Sequence, residues 1–153
     1  METTENETVI RLTAICARRE MCSSEARKKM QQWGIDNDTA DNIIDRLKNE
    51  RYIDEHRYCK AFTNDKMRYN HWGEHKIAAA LRAKAIPDTT IAAALNAIGN
   101  DEWKDALMPE MKKKARLLKA DNHERHNRLI RFAMQRGFSY SISEQCAASI
   151  EED

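Results

Sequence analysis

The chain has 153 residues, a third of them charged, with a net charge of +1. Only four glycines and two prolines are present, too little punctuation for a hairpin-rich sheet protein, while Ala, Leu, Met, Lys, Arg, Glu and Gln abound. The composition excludes a β-fold and predicts an all-α protein with one domain or a short array of small units.

Residues 1–7 are acidic and polar and are expected to form a disordered tail. Val9, Leu12, Ile15 and Cys16 then recur at helical spacing. A second helix over about 23–33 puts Ala26 and Met30 on one face and stops at Gly34, a residue free to take positive φ. Asp38 or Thr39 caps a third helix whose Ala40, Ile43, Ile44 and Leu47 follow the i, i+3, i+4, i+7 pattern. Asp54 opens a fourth, with Tyr58, Ala61 and Phe62 inward. After Trp72-Gly73 a helix carries Ile77 and Leu81 to Ala85-Ile86. Pro87 starts the next, which carries Ile91, Ala94, Leu95 and Ile98 and ends at Gly99. A helix over about 101–119 has Leu107, Met111, Ala115 and Leu118 on one stripe. Pro109 interrupts it and suggests a start there. A helix from Asn122 holds Leu129 and Ala133 and leads to Gly137-Phe138. Ser141-x-x-Glu144 reads as a capping box for the last helix.

Aligning the stops reveals a repeat. Ala26, Ile77 and Leu129 correspond, as do Met30, Leu81 and Ala133; Gly34, Ala85 and Gly137; and Ile35, Ile86 and Phe138, at offsets of 51 and 52 residues. The period predicts three related units of about three helices each, stacked on their neighbours. They are placed at 8–70, including the N-terminal helix, at 71–120 and at 121–153.

Catalytic and metal chemistry find little support. The glycines are isolated, so no phosphate-cradling loop exists. His71 and His75 are four apart but lack a third ligand and a helix to hold them together; solvated histidines are the better reading. The four cysteines (Cys16, Cys22, Cys59, Cys146) form no CxxC pair and read as reduced thiols of a cytoplasmic protein. No apolar run approaches the roughly 20 residues of a membrane span. No enzyme activity, cofactor or metal is expected.

Charge is unevenly placed. Residues 36–55 hold seven acidic against three basic side chains, and residues 110–136 nine basic against three acidic. Lys112, Lys113, Lys114, Arg116 and Lys119 cover the polar side of one helix, followed by Arg125 and Arg128. Two readings stand: a solvated face, or a surface for nucleic-acid phosphates or an acidic protein. No base-reading motif accompanies them. Trp33, Trp72 and Trp103, each near a helix end, read as packing residues at unit junctions rather than stacking platforms.

Tyr52-Ile53-Asp54-Glu55-x-Arg57-Tyr58-Cys59-x-x-Phe62 and Trp72-Gly73-x-x-Lys76-Ile77-x-x-x-Leu81-x-x-Lys84-x-Ile86 resemble the RecX regulatory proteins. Glu25-Ala26-x-x-Lys29-Met30-x-x-x-Gly34-Ile35 and Arg136-Gly137-Phe138-Ser139 are similar to the family's first and last units. The resemblance covers roughly residues 12–150. It implies an elongated, curved array of three tandem three-helix repeat units that acts as a non-enzymatic modulator, binding the RecA filament on DNA and suppressing its ATPase, strand exchange and co-protease activity; a monomer is expected. Lys76, Arg82 and Lys84 would join the basic 112–136 region in meeting RecA or the phosphates of single- or double-stranded DNA. A general nucleic-acid-binding helical-repeat protein without a RecA partner is the alternative. The chain departs from the family pattern at Ala85, where a glycine is usual, at Glu74, where a basic residue is common, and at Cys22, where Ser or Thr usually caps.

Overall fold

Three helix stops organise the chain, and all three have one geometry. The computed structural model describes residues 2–119 and 121–152, which form nine α-helices and no strand. These are α1 (Glu2–Cys16), α2 (Ser23–Gln32), α3 (Asn37–Asn49), α4 (Glu55–Asn70), α5 (Glu74–Ala83), α6 (Asp88–Asn96), α7 (Asn100–Leu117), α8 (Asn122–Gln135) and α9 (Tyr140–Glu152). Just beyond α2, α5 and α8 stand Gly34, Ala85 and Gly137, with φ of 77°, 60° and 96°. Their N–H groups reach back to the carbonyls of Gln31, Arg82 and Met134 at 3.1, 2.9 and 3.0 Å. The next residues, Ile35, Ile86 and Phe138, donate to Met30, Leu81 and Ala133 at 2.9, 3.4 and 3.2 Å. The paired bonds satisfy carbonyls that a helix end leaves orphaned, and turn an apolar side chain back against the last turn. The sequence repeat is the repetition of this device.

Ala85 holds a left-handed conformation that glycine adopts freely and that burdens an L-residue by about 1 kcal/mol. Ala85→Gly should therefore raise stability by about 1 kcal/mol, read as a higher urea midpoint at unchanged slope. A midpoint at or below that of the parent would show that Ala85 makes a compensating contact.

The period fixes the spacing of the units but not their phase. The expected boundaries at 71 and 121 join α4 to the first unit and α7 to the second. Packing instead sets α4 against α5 and α6, and α7 against α8 and α9. Tyr58, Cys59 and Met67 of α4 lie in one apolar cluster with Ile77, Leu81 and Ile91. The units are thus α1–α3, α4–α6 and α7–α9. The matching stops mark only the middle helix of each, and the outer helices could be dealt either way until their buried faces were seen.

Several local expectations also change. Residues 2–7, expected as a disordered tail, are the first turns of α1, with Thr8 Oγ1 donating to the Thr4 carbonyl at 2.8 Å; Met1 lies outside the described residues. Asp36, not Asp38 or Thr39, caps α3, accepting from the Thr39 N–H at 2.7 Å. Gly99 is the N-cap of α7 rather than the end of α6. α7 runs unbroken through Pro109. Both Pro109 and Asp105, whose carbonyl loses its donor, are exposed, so water can serve that oxygen. Ser139, not Ser141, caps α9 through the Ile142 N–H at 3.2 Å.

The units are joined in two different ways. Units 2 and 3 share one apolar core from Tyr58 to Ala147, which Cys22 at the start of α2 also joins, while the rest of unit 1 has its own, from Val9 to Ile53. Surface area reflects the open arrangement: 9410 Å² is accessible, against about 8,000 Å² for a compact monomer of this mass. Between units 2 and 3 the backbones touch. The Gly73 N–H donates to the Arg136 carbonyl and the His75 N–H to the Gly137 carbonyl, both at 2.8 Å. Trp103 and Phe138 meet edge to face nearby, at 6.3 Å between centroids.

Between units 1 and 2 the contacts are mostly polar. Glu25 of α2 accepts from Lys84 Nζ at 3.1 Å and from the Tyr58 hydroxyl at 3.4 Å. Glu20 pairs with Arg57 at 2.6 Å, and the Ser23 N–H donates to Glu55 at 3.0 Å. Burial acts to raise the Glu25 carboxyl, but Lys84, the Cys22 N–H and Arg19 outweigh it and hold the group below the usual glutamate range. A carboxyl depressed in the folded state stabilises above its unfolded pKa, and that contribution is lost as pH falls through the lower folded value. Acidification should therefore loosen unit 1 from unit 2 in this window. Fluorescent labels on α3 and α9 would report it as increased separation, and Lys84→Met should remove much of the pH dependence. An unchanged response in that variant would rule Lys84 out as the cause.

Candidate polyanion-binding groove

The C-terminal half of α7 packs beside α8, and its sequence there alternates cations with the buried Met111 and Ala115. Between the helices runs a groove of about 280 Å³ lined by Lys114, Leu118, Arg128, Arg131, Phe132 and Gln135. Three of these are cations and none is acidic. Lys114 Nζ stands 5.6 Å from the centre of the Phe132 ring and the Arg136 guanidinium 5.1 Å from it, so the ring helps to hold both charges. Lys112, Lys113, Arg116 and Lys119 are exposed on the same stretch. Among the described residues none of these four, nor Arg131, has an ion-pair partner. The arrangement suits phosphate or carboxylate groups, with arginine able to grip two oxygens at once.

The other expected contact residues go elsewhere. Arg125 donates to the Ala115 carbonyl at 3.2 Å and so caps the end of α7. Arg128 lines the groove but pairs with Glu124 at 2.6 Å, one helical turn away. Arg82 pairs with Asp88 at 3.2 Å. Lys84 is engaged by Glu25, and Lys76 Nζ lies 4.6 Å from the centre of the Trp72 ring beside the junction of units 2 and 3. Sequence reading counted Arg131 in the basic run without selecting it, and passed over Phe132. The spacing 128, 131, 132, 135, one helical face, is the signal for both.

No thiol is poised as a nucleophile. Burial pushes all four cysteines above their ordinary value, Cys59 to about 11. His71, considered with His75 as a metal pair, donates from Nδ1 to the Ala106 carbonyl at 2.8 Å and has Nε2 3.6 Å from Glu110, whereas His75 lies beside Glu74. No cluster of three metal-ligating side chains occurs among the described residues. No helix among them is long and apolar enough to cross a membrane.

Two family models match the chain: the second three-helix domain of RecX over residues 54–95, and the third three-helix domain of RecX over 101–146. They coincide with α4–α6 and α7–α9 and together cover more than half of the chain. The chain is 30% identical over 121 residues to a regulatory protein RecX of Clostridium botulinum (strain Alaska E43 / Type E3), covering 77% of this chain and 56% of that protein. It is 28% identical over 120 residues to the regulatory protein RecX of Prosthecochloris aestuarii, covering 78% of each. The chain spans about half the length of most clostridial relatives it matches. The crystal structure of RecX from Lactobacillus salivarius superimposes over 100% of both chains with a TM-score of 0.90 at 18% identity. At that identity the likeness speaks for the fold, and it is the fold derived above. By the two matched domains, in order and in register with the helices, this chain belongs to the RecX family.

Proposed function

We propose that the chain is a non-enzymatic regulator that lies along the RecA–DNA filament and restrains its ATPase, strand exchange and co-protease activities. The observation that carries this reading is the match of α4–α9 to the second and third RecX domains, together with a cation-lined groove on the third. Mechanically, units 2 and 3, joined through one core, would supply a continuous surface, and the polar junction would let unit 1 adjust to a helical one. Many modest contacts spread over such a length give a grip that can still be released. Bridging successive protomers would hinder the motions that accompany nucleotide turnover. A monomer acting in the cytoplasm suffices for this.

The deciding experiment is RecA's DNA-dependent ATP hydrolysis with this protein added. A dose-dependent fall, with a matching loss of strand exchange, is the expected result. Unchanged hydrolysis together with tight, salt-sensitive binding to bare DNA would replace this reading with that of a general nucleic-acid-binding repeat protein.

A further inference from the structure

A second group of cations gathers where unit 1 meets unit 2. Arg18 and Arg19 follow α1, Lys28 and Lys29 lie on α2, and Lys84 ends α5. The sequence separates the first four from the last by more than fifty residues, and the fold closes that distance. One cleft of about 290 Å³ is lined by Arg19, Glu25, Lys28, Lys29, Gln32 and Lys84. It shares Arg19 and Lys29 with a neighbouring cleft of about 260 Å³ that Arg18 also lines. It shares Lys28 and Lys84 with a third, of about 450 Å³, that reaches Ser23 and Ser24. The three form one continuous surface crossing the junction.

In the first two clefts five cations face a single carboxylate. Glu25 serves both Lys84, at 3.1 Å, and Arg19, at 3.8 Å. Arg18, Lys28 and Lys29 have no ion-pair partner among the described residues. A protein partner's interface is built around a buried aromatic or aliphatic anchor, and Ile15 is the one large apolar side chain lining these clefts. What they present instead is a run of cations, suited to a row of phosphates and indifferent to base sequence; only in the third cleft does a second carboxylate, Glu55, stand, where it accepts from the Ser23 N–H and hydroxyl.

We propose that this junction surface binds the phosphodiester backbone of nucleic acid, at a site distinct from the α7–α8 groove. Glu25 competes with the backbone for Arg19 and Lys84. A bound strand draws those two cations away from Glu25, and so acts on the contact that joins units 1 and 2. The proposal does not depend on RecA, which enters only one arm of its test.

The test is a titration of the full-length chain against a labelled single strand of mixed sequence, followed by fluorescence anisotropy across a salt series. The triple variant Arg18→Ser, Lys28→Ser, Lys29→Ser removes three cations that hold nothing else in place, so its circular dichroism and melting should match the parent. Its log–log salt slope should be shallower by about 2, at roughly 0.7 per lost phosphate contact. Glu25→Gln keeps an acceptor for the Cys22 N–H while removing the competing charge, and should bind the strand several-fold tighter at low salt. A slope unchanged in the triple variant overturns the proposal. So does displacement of the strand by millimolar inorganic phosphate at constant ionic strength, which would mark a site for a free anion. A triple variant that loses its effect on RecA while its DNA titration stays as in the parent would assign the surface to a protein partner, and the proposal would be wrong.

Discussion

Gly73→Ala should lower stability by about 3 kcal/mol or more. A Cβ on Gly73 would stand 2.1 Å from the Phe138 nitrogen and 2.2 Å from the Gly137 carbonyl carbon. Both obstacles are backbone, so no side chain can swing aside. Relief requires the start of α5 to move away from the α8–α9 turn by more than an ångström. That motion breaks the two 2.8 Å hydrogen bonds between them and pulls Phe138 off Trp103. Because units 2 and 3 share one core, the loss should appear across α4–α9 rather than locally. Urea unfolding followed by tryptophan fluorescence, with hydrogen exchange to locate the effect, would measure it. Gly34→Ala supplies the contrast. A Cβ there meets nothing within 4 Å, and only the positive φ of 77° is violated. Its cost should be about 1 kcal/mol and confined to unit 1. Equal costs for the two substitutions would mean that the close backbone approach at Gly73 is not what requires glycine.

Gly73 shows where sequence reasoning reaches its limit. A glycine just before a helix reads as an ordinary boundary, and nothing local reveals a partner backbone more than sixty residues away. The same applies to Lys84. Its charge suggested a contact for RecA or DNA, yet its ammonium is held by Glu25, 59 residues earlier. Arg125 likewise looks like one more charge in a basic run and instead caps α7. What could be read were features fixed by neighbours in sequence. The three stops at Gly34, Ala85 and Gly137 rest on bonds spanning five residues or fewer, so their period and the all-α class were visible. The division into units was not, because it depends on which face of α4 and α7 is buried. The α7–α8 groove lies between these cases: its cations were counted from the sequence, but that they border a groove around Phe132 follows only from the packing of the two helices.

Removing the unengaged charges of the basic α7–α8 stretch, of which Arg131 lines the groove, should separate binding from folding. Lys112, Lys113, Arg116 and Arg131 are exposed, and among the described residues they lack ion-pair partners, so replacing all four by serine should leave melting within a degree or two of the parent. If each meets a backbone phosphate in the filament, four contacts at roughly 0.7 each make the log–log salt slope shallower by about 3. At physiological salt this corresponds to weaker binding by on the order of 100-fold. The dose of protein that half-inhibits RecA's ATPase should rise by the same factor. Arg125→Ser makes the opposite prediction. It uncaps α7 and should cost about 1 kcal/mol of stability, with a far smaller shift in the inhibitory dose. If the quadruple variant inhibits at the parent's dose and with the parent's salt dependence, these four charges face solvent, and the grip on the filament has to be sought on the unit 1–unit 2 surface instead. If inhibition weakens while binding to bare DNA keeps its slope, the four cations meet acidic side chains of the recombinase rather than phosphates.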